Sequence, residues 1–374
     1  MSPFPSTRSA EPSLRRSFYV LHLDPILLVL LLGICALGLT VLYSASGHSV
    51  PTVVNQAERL VIGLVVMGLA AQAPPEIYRA GAPWFYGFAA FLCVLTLLLG
   101  DHAKGAQRWL DLGVLRFQPS ELMKLAMPIM VAGFLHLFPL PPRPHVVGTT
   151  LLIIGGPVLL VMIQPDLGTS LLILASGGFA LYLGGLSWKY IVGAGVLIGA
   201  AAPVLWARLH EYQQQRILTL LDPESDPLGA GYHIAQSKIA IGSGGPFGKG
   251  WLEGTQAKLD FLPESHTDFI LAVFAEELGL AGVCLLLLLY LAVVARGLYI
   301  AARAQDSFQR LLAGALSMTF FVYVFINMGM VMGLLPVVGV PLPLMSYGGT
   351  SMVSLLAGFG ILMSIHTHRK LLES

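Results

Sequence analysis

The sequence predicts an all-α polytopic membrane protein of about ten transmembrane helices, and three observations carry that expectation. Of the 374 residues, 56% are hydrophobic and only 11% are charged, against roughly 25% charge in a soluble domain. Mean hydropathy is +0.77. The apolar residues also gather into runs near the length of about 20 that crosses the hydrocarbon core. A water-soluble fold is excluded on these grounds. The formal net charge of +1 says little, because in a membrane protein the placement of charge matters more than its sum. Nothing points to nucleic acid.

Expected spans run over 25–45, 58–73, 81–100, 119–139, 146–163, 168–184, 189–207, 268–297, 309–333 and 348–366. The second and sixth are short enough to be tilted or broken. The first follows Arg15 and Arg16 and ends in Tyr43-Ser-Ala-Ser without a small-residue cleavage site, so it reads as a retained helix and not as a signal peptide. With the N-terminus in the cytoplasm, Arg8, Arg15, Arg16, Arg79, Arg143, Lys189, Arg296, Arg303, Arg310, Arg369 and Lys370 fall on the cytoplasmic side, as the positive-inside rule asks. The chain then reads as a single membrane domain: a tail over 1–24, helices 1–7 over 25–207, an extracytoplasmic loop over 208–267, helices 8–10 over 268–366 and a second cytoplasmic tail over 367–374. That loop is longer than a connector needs, and its run Asp222-Pro-Glu-Ser-Asp-Pro-Leu-Gly is built for turns. Within it, 236–242 fits a short amphipathic helix. Cys35, Cys93 and Cys284 lack metal-ligand or disulfide spacing and read as small buried hydrophobes.

Charged groups at membrane depth are costly, so each needs a reason. Glu121 and Lys124 share a helix face at i,i+3 spacing, which suits either an ion pair that orients helices or a direct substrate role. Asp166, after Pro165, is placed to cap the sixth span or to help organise an anionic group outside. Asp268 lies where the eighth span begins, at the outer boundary beside a positive helix end that favours its ionised form. Glu276 and Glu277 follow about 12 Å down an ideal helix, at roughly 80° and 180° from Asp268 around its axis. They cannot both face one cavity, so a structural role is expected. Gly242-Ser-Gly-Gly-Pro-Phe-Gly-Lys-Gly fails the P-loop pattern because Gly250 stands where serine or threonine is needed. A flexible turn, or a backbone nest for pyrophosphate with Lys249 as counter-charge, remains open. From Gly333 to Ser351, three prolines and several glycines interrupt an apolar stretch, which predicts a re-entrant loop beside an outward-facing cavity.

This last segment resembles the signature of the SEDS (shape, elongation, division and sporulation) family, and the resemblance extends over nearly the whole chain. It runs through Gly105-Ala-Gln-Arg-Trp-Leu, Phe117-Gln-Pro-Ser-Glu-Leu-Met-Lys, Gln164-Pro-Asp-Leu-Gly-Thr-Ser, Asp226-Pro-Leu-Gly-Ala-Gly-Tyr-His, Gln236-Ser, Gly242-Ser-Gly-Gly and Leu262-Pro-Glu-Ser-His-Thr-Asp-Phe-Ile. The chain looks more like the elongation (RodA) branch than the division (FtsW) branch. The resemblance implies polymerisation of lipid II into peptidoglycan glycan strands on the outer face of the bacterial cytoplasmic (inner) membrane. It maps the essential carboxylate onto Asp268, as general base for the acceptor hydroxyl. Arg108, Arg216, Lys238 and Lys249 are candidates to stabilise the leaving pyrophosphate, with Glu121, Lys124, Asp166, Ser237, Ser346 and Tyr347 as supporting residues. No cofactor is certain, and a divalent cation, Mg or Mn, is a candidate addition. Expected partners are a class B penicillin-binding transpeptidase, the MreB-associated elongation complex and membrane lipid. Two other readings compete: a flippase for lipid-linked precursors, and a non-catalytic scaffold that activates a transpeptidase.

Overall fold

The computed structural model describes residues 21–368 apart from 104–105, 112–115, 209–210, 223–225, 227–228, 259–260 and 263. Most of both tails, with Arg8, Arg15, Arg16, Arg369 and Lys370, and most of the 222–229 turn run lie outside the described residues. The chain enters α1 (Pro25–Ala45) through Asp24, whose carboxylate accepts from the Leu27 amide at 2.8 Å while Pro25 occupies the first turn. α2 (Val50–Gln72) begins ahead of the start expected at 58, because Ser49 caps it and Pro51 fits its first turn. Gln56, Glu58 and Arg59 disguise that turn from a hydropathy count. α3 (Pro75–Leu99) opens on proline in the same way.

The following connection, in a chain expected to be all-α, holds a small antiparallel sheet in the order β1 (Asp101–Ala103), β2 (Ala106–Asp111), β3 (Arg116–Phe117). Its register pairs Leu110 with Phe117, which fixes the strand bearing Arg108. Next come α4 (Pro119–Leu135), α5 (Pro144–Ile163), α6 (Leu167–Leu183) and α7 (Trp188–Arg208). The long loop is itself largely helical: α8 (Glu211–Leu221), α9 (Ala230–Gly244) and the single turn α10 (Thr255–Lys258). α9 is the helix expected at 236–242, longer at both ends. α11 (Ile270–Ala302), α12 (Ser307–Val331) and α13 (Thr350–Thr367) complete the bundle.

Among the described residues, α1, α2, α3, α5, α11, α12 and α13 are long and apolar enough to cross a membrane. Helices α4, α6 and α7 occupy the other three expected spans. Outward faces carry side chains such as Leu152 and Leu98, 78% and 72% exposed, an arrangement stable only in a hydrocarbon solvent. Cys284 lies on such a face, against expectation, whereas Cys35 and Cys93 are buried. At the centre, α12 packs on α11, α6, α4 and α13, and α13 packs along α2.

Helix ends sort into two sets. At one, Ser265 Oγ donates to the Ala45 carbonyl at 3.0 Å and Gln118 Nε2 to Asp166 Oδ2 at 2.8 Å, so the long loop, the sheet and the α5–α6 turn meet there. At the opposite end, His22 stacks on His368 at 3.8 Å, which brings the two ends of the described chain together. Asp24, fully buried, anchors that end: Arg296 NH2 reaches its carboxylate at 2.5 Å and His366 Nδ1 lies at 2.8 Å. Burial raises the Asp24 pKa, but the contacts from His366, Arg296 and the Leu27 amide outweigh it and hold the group below the usual carboxylate range. A depressed folded-state pKa contributes stability that is complete above the unfolded value and lost only as pH falls through the folded one. Asp24→Ala is expected to lose about 3–5 kcal/mol by stranding Arg296, seen as a lower melting temperature in detergent at neutral pH.

Candidate active site

Between α12 and α13 the chain leaves helical geometry over 332–349, and backbone that does so inside a bundle must find other partners. Asn327, fully buried on α12, supplies one of them and ties the segment to the turn before α11, donating from Nδ2 to the Val340 carbonyl at 2.8 Å and to the Asp268 carbonyl at 2.9 Å. Tyr290 on α11 donates to the Pro343 carbonyl at 2.6 Å. From α2, Gln56 donates to the Ser346 carbonyl at 3.0 Å and accepts from the Gly348 amide at 3.3 Å. Ser346 Oγ takes the Leu342 amide at 2.8 Å, and the Tyr347 amide donates to the His266 carbonyl at 2.9 Å. The broken segment is thus pinned from α2, α11, α12 and the turn before α11.

That turn, 264–269, carries Asp268. The helix proper starts at Ile270, after Asp268, with Phe269 as a cap that makes no side-chain bond, so Asp268 does not cap α11. Its side chain is partly exposed and lies over Gly339, where an added methyl would sit 3.6 Å from Oδ2. Gly339 has φ +72°, a conformation glycine adopts without strain. Glu264 and Leu344, at φ 55° and 63°, hold the same left-handed conformation without being glycine. Each costs of order 1–3 kcal/mol, the kind of local strain that clusters at functional sites.

Cations bracket the segment. Lys238 is exposed on α9, with Cε and Nζ only 2.5 and 2.8 Å from where a methyl on Gly333 would lie. Arg59, to which the sequence reading gave no role, places its guanidinium 4.5 Å over the Tyr347 ring. The signal for it was available: Gln56 and Arg59 stand at i,i+3 ahead of an apolar run, so both face the same neighbour.

Other expected site residues are committed elsewhere. Arg108 donates from NH2 to the Pro165 carbonyl, with Nε 3.8 Å from Asp166 Oδ2, so it faces the cap of α6. Asp166 does cap α6, accepting from the Thr169 amide at 3.2 Å. Arg216 lies on α8, partly exposed. Ser237 is fully buried and donates to the Val331 carbonyl at 2.7 Å, tying α9 to the end of α12. Lys124 pairs with Glu121 at 2.6 Å and donates to the Tyr323 hydroxyl, while Ser354 donates to Glu121 Oε2 at 2.9 Å. These contacts join α4, α12 and α13. The cavity beside them is about 40 Å³, room for water and not for a sugar.

The glycine-rich loop is a structural plug and not an anion nest. Gly279, at φ 65°, interrupts α11. Around the break the Lys249 and Gly250 amides donate to the Glu276 and Glu277 carbonyls, both at 3.0 Å, and the Leu280 and Ala281 amides donate to the Gly245 and Pro246 carbonyls at 2.9 and 3.0 Å. Lys249 Nζ, expected to meet pyrophosphate, pairs with buried Glu276 Oε1 at 2.6 Å, and Glu276 also accepts from the Thr255 amide at 2.9 Å. Glu277 accepts from Ser44. The structural role expected of both glutamates agrees with these partners. A methyl at Gly248 would come within 2.1 Å of the Glu277 carbonyl oxygen. Gly248→Ala is therefore expected to destabilise the fold by at least about 1–3 kcal/mol, read as a drop in melting temperature without change in helix content.

Comparison with known proteins agrees with this architecture. A family model described as cell cycle protein, FtsW/RodA/SpoVE, matches residues 25–371. The peptidoglycan glycosyltransferase MrdB of Escherichia coli K12 is 55% identical over 364 residues, covering 97% of this chain and 98% of the relative. A chain from a peptidoglycan synthase complex, described as coordinating polymerization and crosslinking, superposes with TM-score 0.83 at 31% identity, over 93% of this chain and 99% of that one. The rod shape determining protein RodA of Thermus thermophilus superposes with TM-score 0.71 at 30% identity, over 93% and 98% of the two chains. The chain, a multi-pass membrane protein, belongs to the FtsW/RodA/SpoVE family of cell cycle proteins.

Proposed function

We infer that this chain polymerises lipid II with Asp268 as the general base. It is a peptidoglycan glycosyltransferase of rod-shape elongation. The observation that carries the mechanism is the Asp268 carboxylate standing partly exposed over Gly339, in the middle of a non-helical segment with a cation at each end. Asp268 takes the proton of the acceptor's 4-hydroxyl as that oxygen attacks C1 of the donor sugar, and the C1–O bond to the lipid pyrophosphate breaks. A base alone supplies about 10²–10⁴-fold. Charge stabilisation at the departing pyrophosphate must add to it, and Lys238 and Arg59 are the residues assigned to that task. No group of three or more His, Cys, Asp or Glu converges among the described residues. A divalent cation would accordingly be held mainly by the pyrophosphate oxygens, in the manner of Mg²⁺ at phosphate sites.

The end bearing Asp268 faces the periplasm and the end where His22 meets His368 faces the cytoplasm, in the bacterial inner membrane. Lysine and arginine placement supports this orientation. A class B penicillin-binding transpeptidase is the partner that cross-links the product, in keeping with the synthase complex that this chain resembles, and the MreB-associated elongation complex directs the pair. Glu121, Lys124, Glu276 and Glu277 fall in separate clusters closed by their own partners, which gives a flippase path no support.

Asp268→Asn is expected to lower polymer yield from labelled lipid II by about 100-fold or more, measured by gel on purified protein with and without the transpeptidase. Undiminished polymer would exclude the base. Lys238→Ala and Arg59→Ala are each expected to lower kcat by roughly 10–100-fold while leaving the melting temperature near that of the wild type.

A further inference from the structure

A second cavity lies against the same turn. It measures about 410 Å³, within the range of roughly 300–1,000 Å³ typical of small-molecule sites. Its polar walls are Ser46 and Ser49 from the α1–α2 connection, Thr52 from the first turn of α2, and Glu264, Ser265 and His266 from the turn that continues to Asp268. The two walls are fixed to each other by the bond from Ser265 Oγ to the Ala45 carbonyl at 3.0 Å. Ser49 and Thr52 hydroxyls lie 2.8 Å apart, and Glu264 accepts from Thr267 at 2.7 Å, so the hydroxyls are already ordered.

Among the described residues the lining contains neither lysine nor arginine, so it does not suit a pyrophosphate, whose counter-charges stand instead by the broken segment. Neutral hydroxyls, one carboxylate and the His266 imidazole suit a ligand rich in hydroxyl and amide groups. Next to the lining in sequence, Tyr43 packs at 5.5 Å from His48 and 6.3 Å from Trp251, aromatic groups of the amphipathic kind. Position narrows the ligand further. His266 is two residues from Asp268, hence no more than about 7 Å along the chain, about the length of a pyranose ring. A sugar whose hydroxyl meets Asp268 puts its neighbouring ring at this opening.

We propose that the cavity between the α1–α2 connection and the Glu264–His266 turn is a saccharide subsite that seats an N-acetylated amino sugar next to the reacting one. The proposal rests on the glycosyltransferase reading with Asp268 as base. It assigns the subsite's selectivity to hydroxyl and acetamido groups.

The test fills the cavity with Ser46→Trp and, independently, Thr52→Trp, each checked for folding by its melting temperature. Two activity arms separate the sources of the sugar: coupling of two lipid II molecules, and extension of a preformed lipid-linked tetrasaccharide. A loss of about tenfold, the scale of one or two hydrogen bonds, in both arms seats the disaccharide common to donor and acceptor. Loss in the extension arm alone seats the growing strand. Binding of soluble N,N′-diacetylchitobiose is measured in parallel, and it is expected in the wild type and in Asp268→Asn but not in the tryptophan variants. Because this readout needs no turnover, a wild-type protein that makes no polymer would sink the functional reading and still leave the subsite decided. Folded tryptophan variants with wild-type rates, or with probe binding intact, overturn the proposal.

Discussion

An unpaired backbone amide or carbonyl inside a bilayer costs several kcal/mol, because no water is present to replace the lost hydrogen bond. Two departures from helix among the described residues show this constraint, and each dictates its own remedy. At Gly279 the remedy is another piece of backbone: the 245–250 loop returns amides to the Glu276 and Glu277 carbonyls and carbonyls to the Leu280 and Ala281 amides. Over 332–349 the remedy is side chains, with Asn327, Gln56 and Tyr290 acting as surrogate ladder partners. The second solution leaves an irregular surface that a helix cannot provide, and Asp268 stands on it.

Charge follows the same logic. A buried carboxylate is tolerable only when paired and hydrogen-bonded, and Asp24, Glu121 and Glu276 each collect a cation together with at least one neutral donor. These are the fasteners of the bundle. Asp24 joins the start of α1 to the C-terminal reaches of α11 and α13, Glu121 joins α4, α12 and α13, and Glu276 ties the long loop to α11. Asp268, Lys238 and Arg59 differ in being placed around one non-helical segment next to solvent-accessible space. The fasteners are thereby kept apart from the groups proposed for catalysis.

Much of this was legible in the residues. Helix positions followed from apolar runs, since hydrocarbon solvent enforces them, and the position of Asp268 followed from where the run beginning at Ile270 had to start. The break at 333–351 announced itself through its prolines. What sequence concealed was tertiary. Lys249 and Glu276 are 27 residues apart, and nothing local distinguishes a lysine that meets a buried glutamate from one that meets a phosphate. Gly279 sits in a run that reads as continuous helix, because an isolated glycine does not declare its φ. The early start of α2 was hidden by the polar residues that make it useful, Gln56 and Arg59. The sheet over 101–117 escaped because short strands in a polar connection carry almost no periodic signal.

The account stands on Asp268 acting in its ionised form at the acceptor hydroxyl. Its most direct test is the pH dependence of kcat/KM for lipid II polymerisation by the purified protein, compared with the residual activity of Asp268→Asn. The account predicts a limb that rises with pH as one group loses its proton in the wild type, and a residual rate in the variant from which that limb has vanished. An unchanged rising limb in the variant would assign the titrating base to another residue and contradict the mechanism.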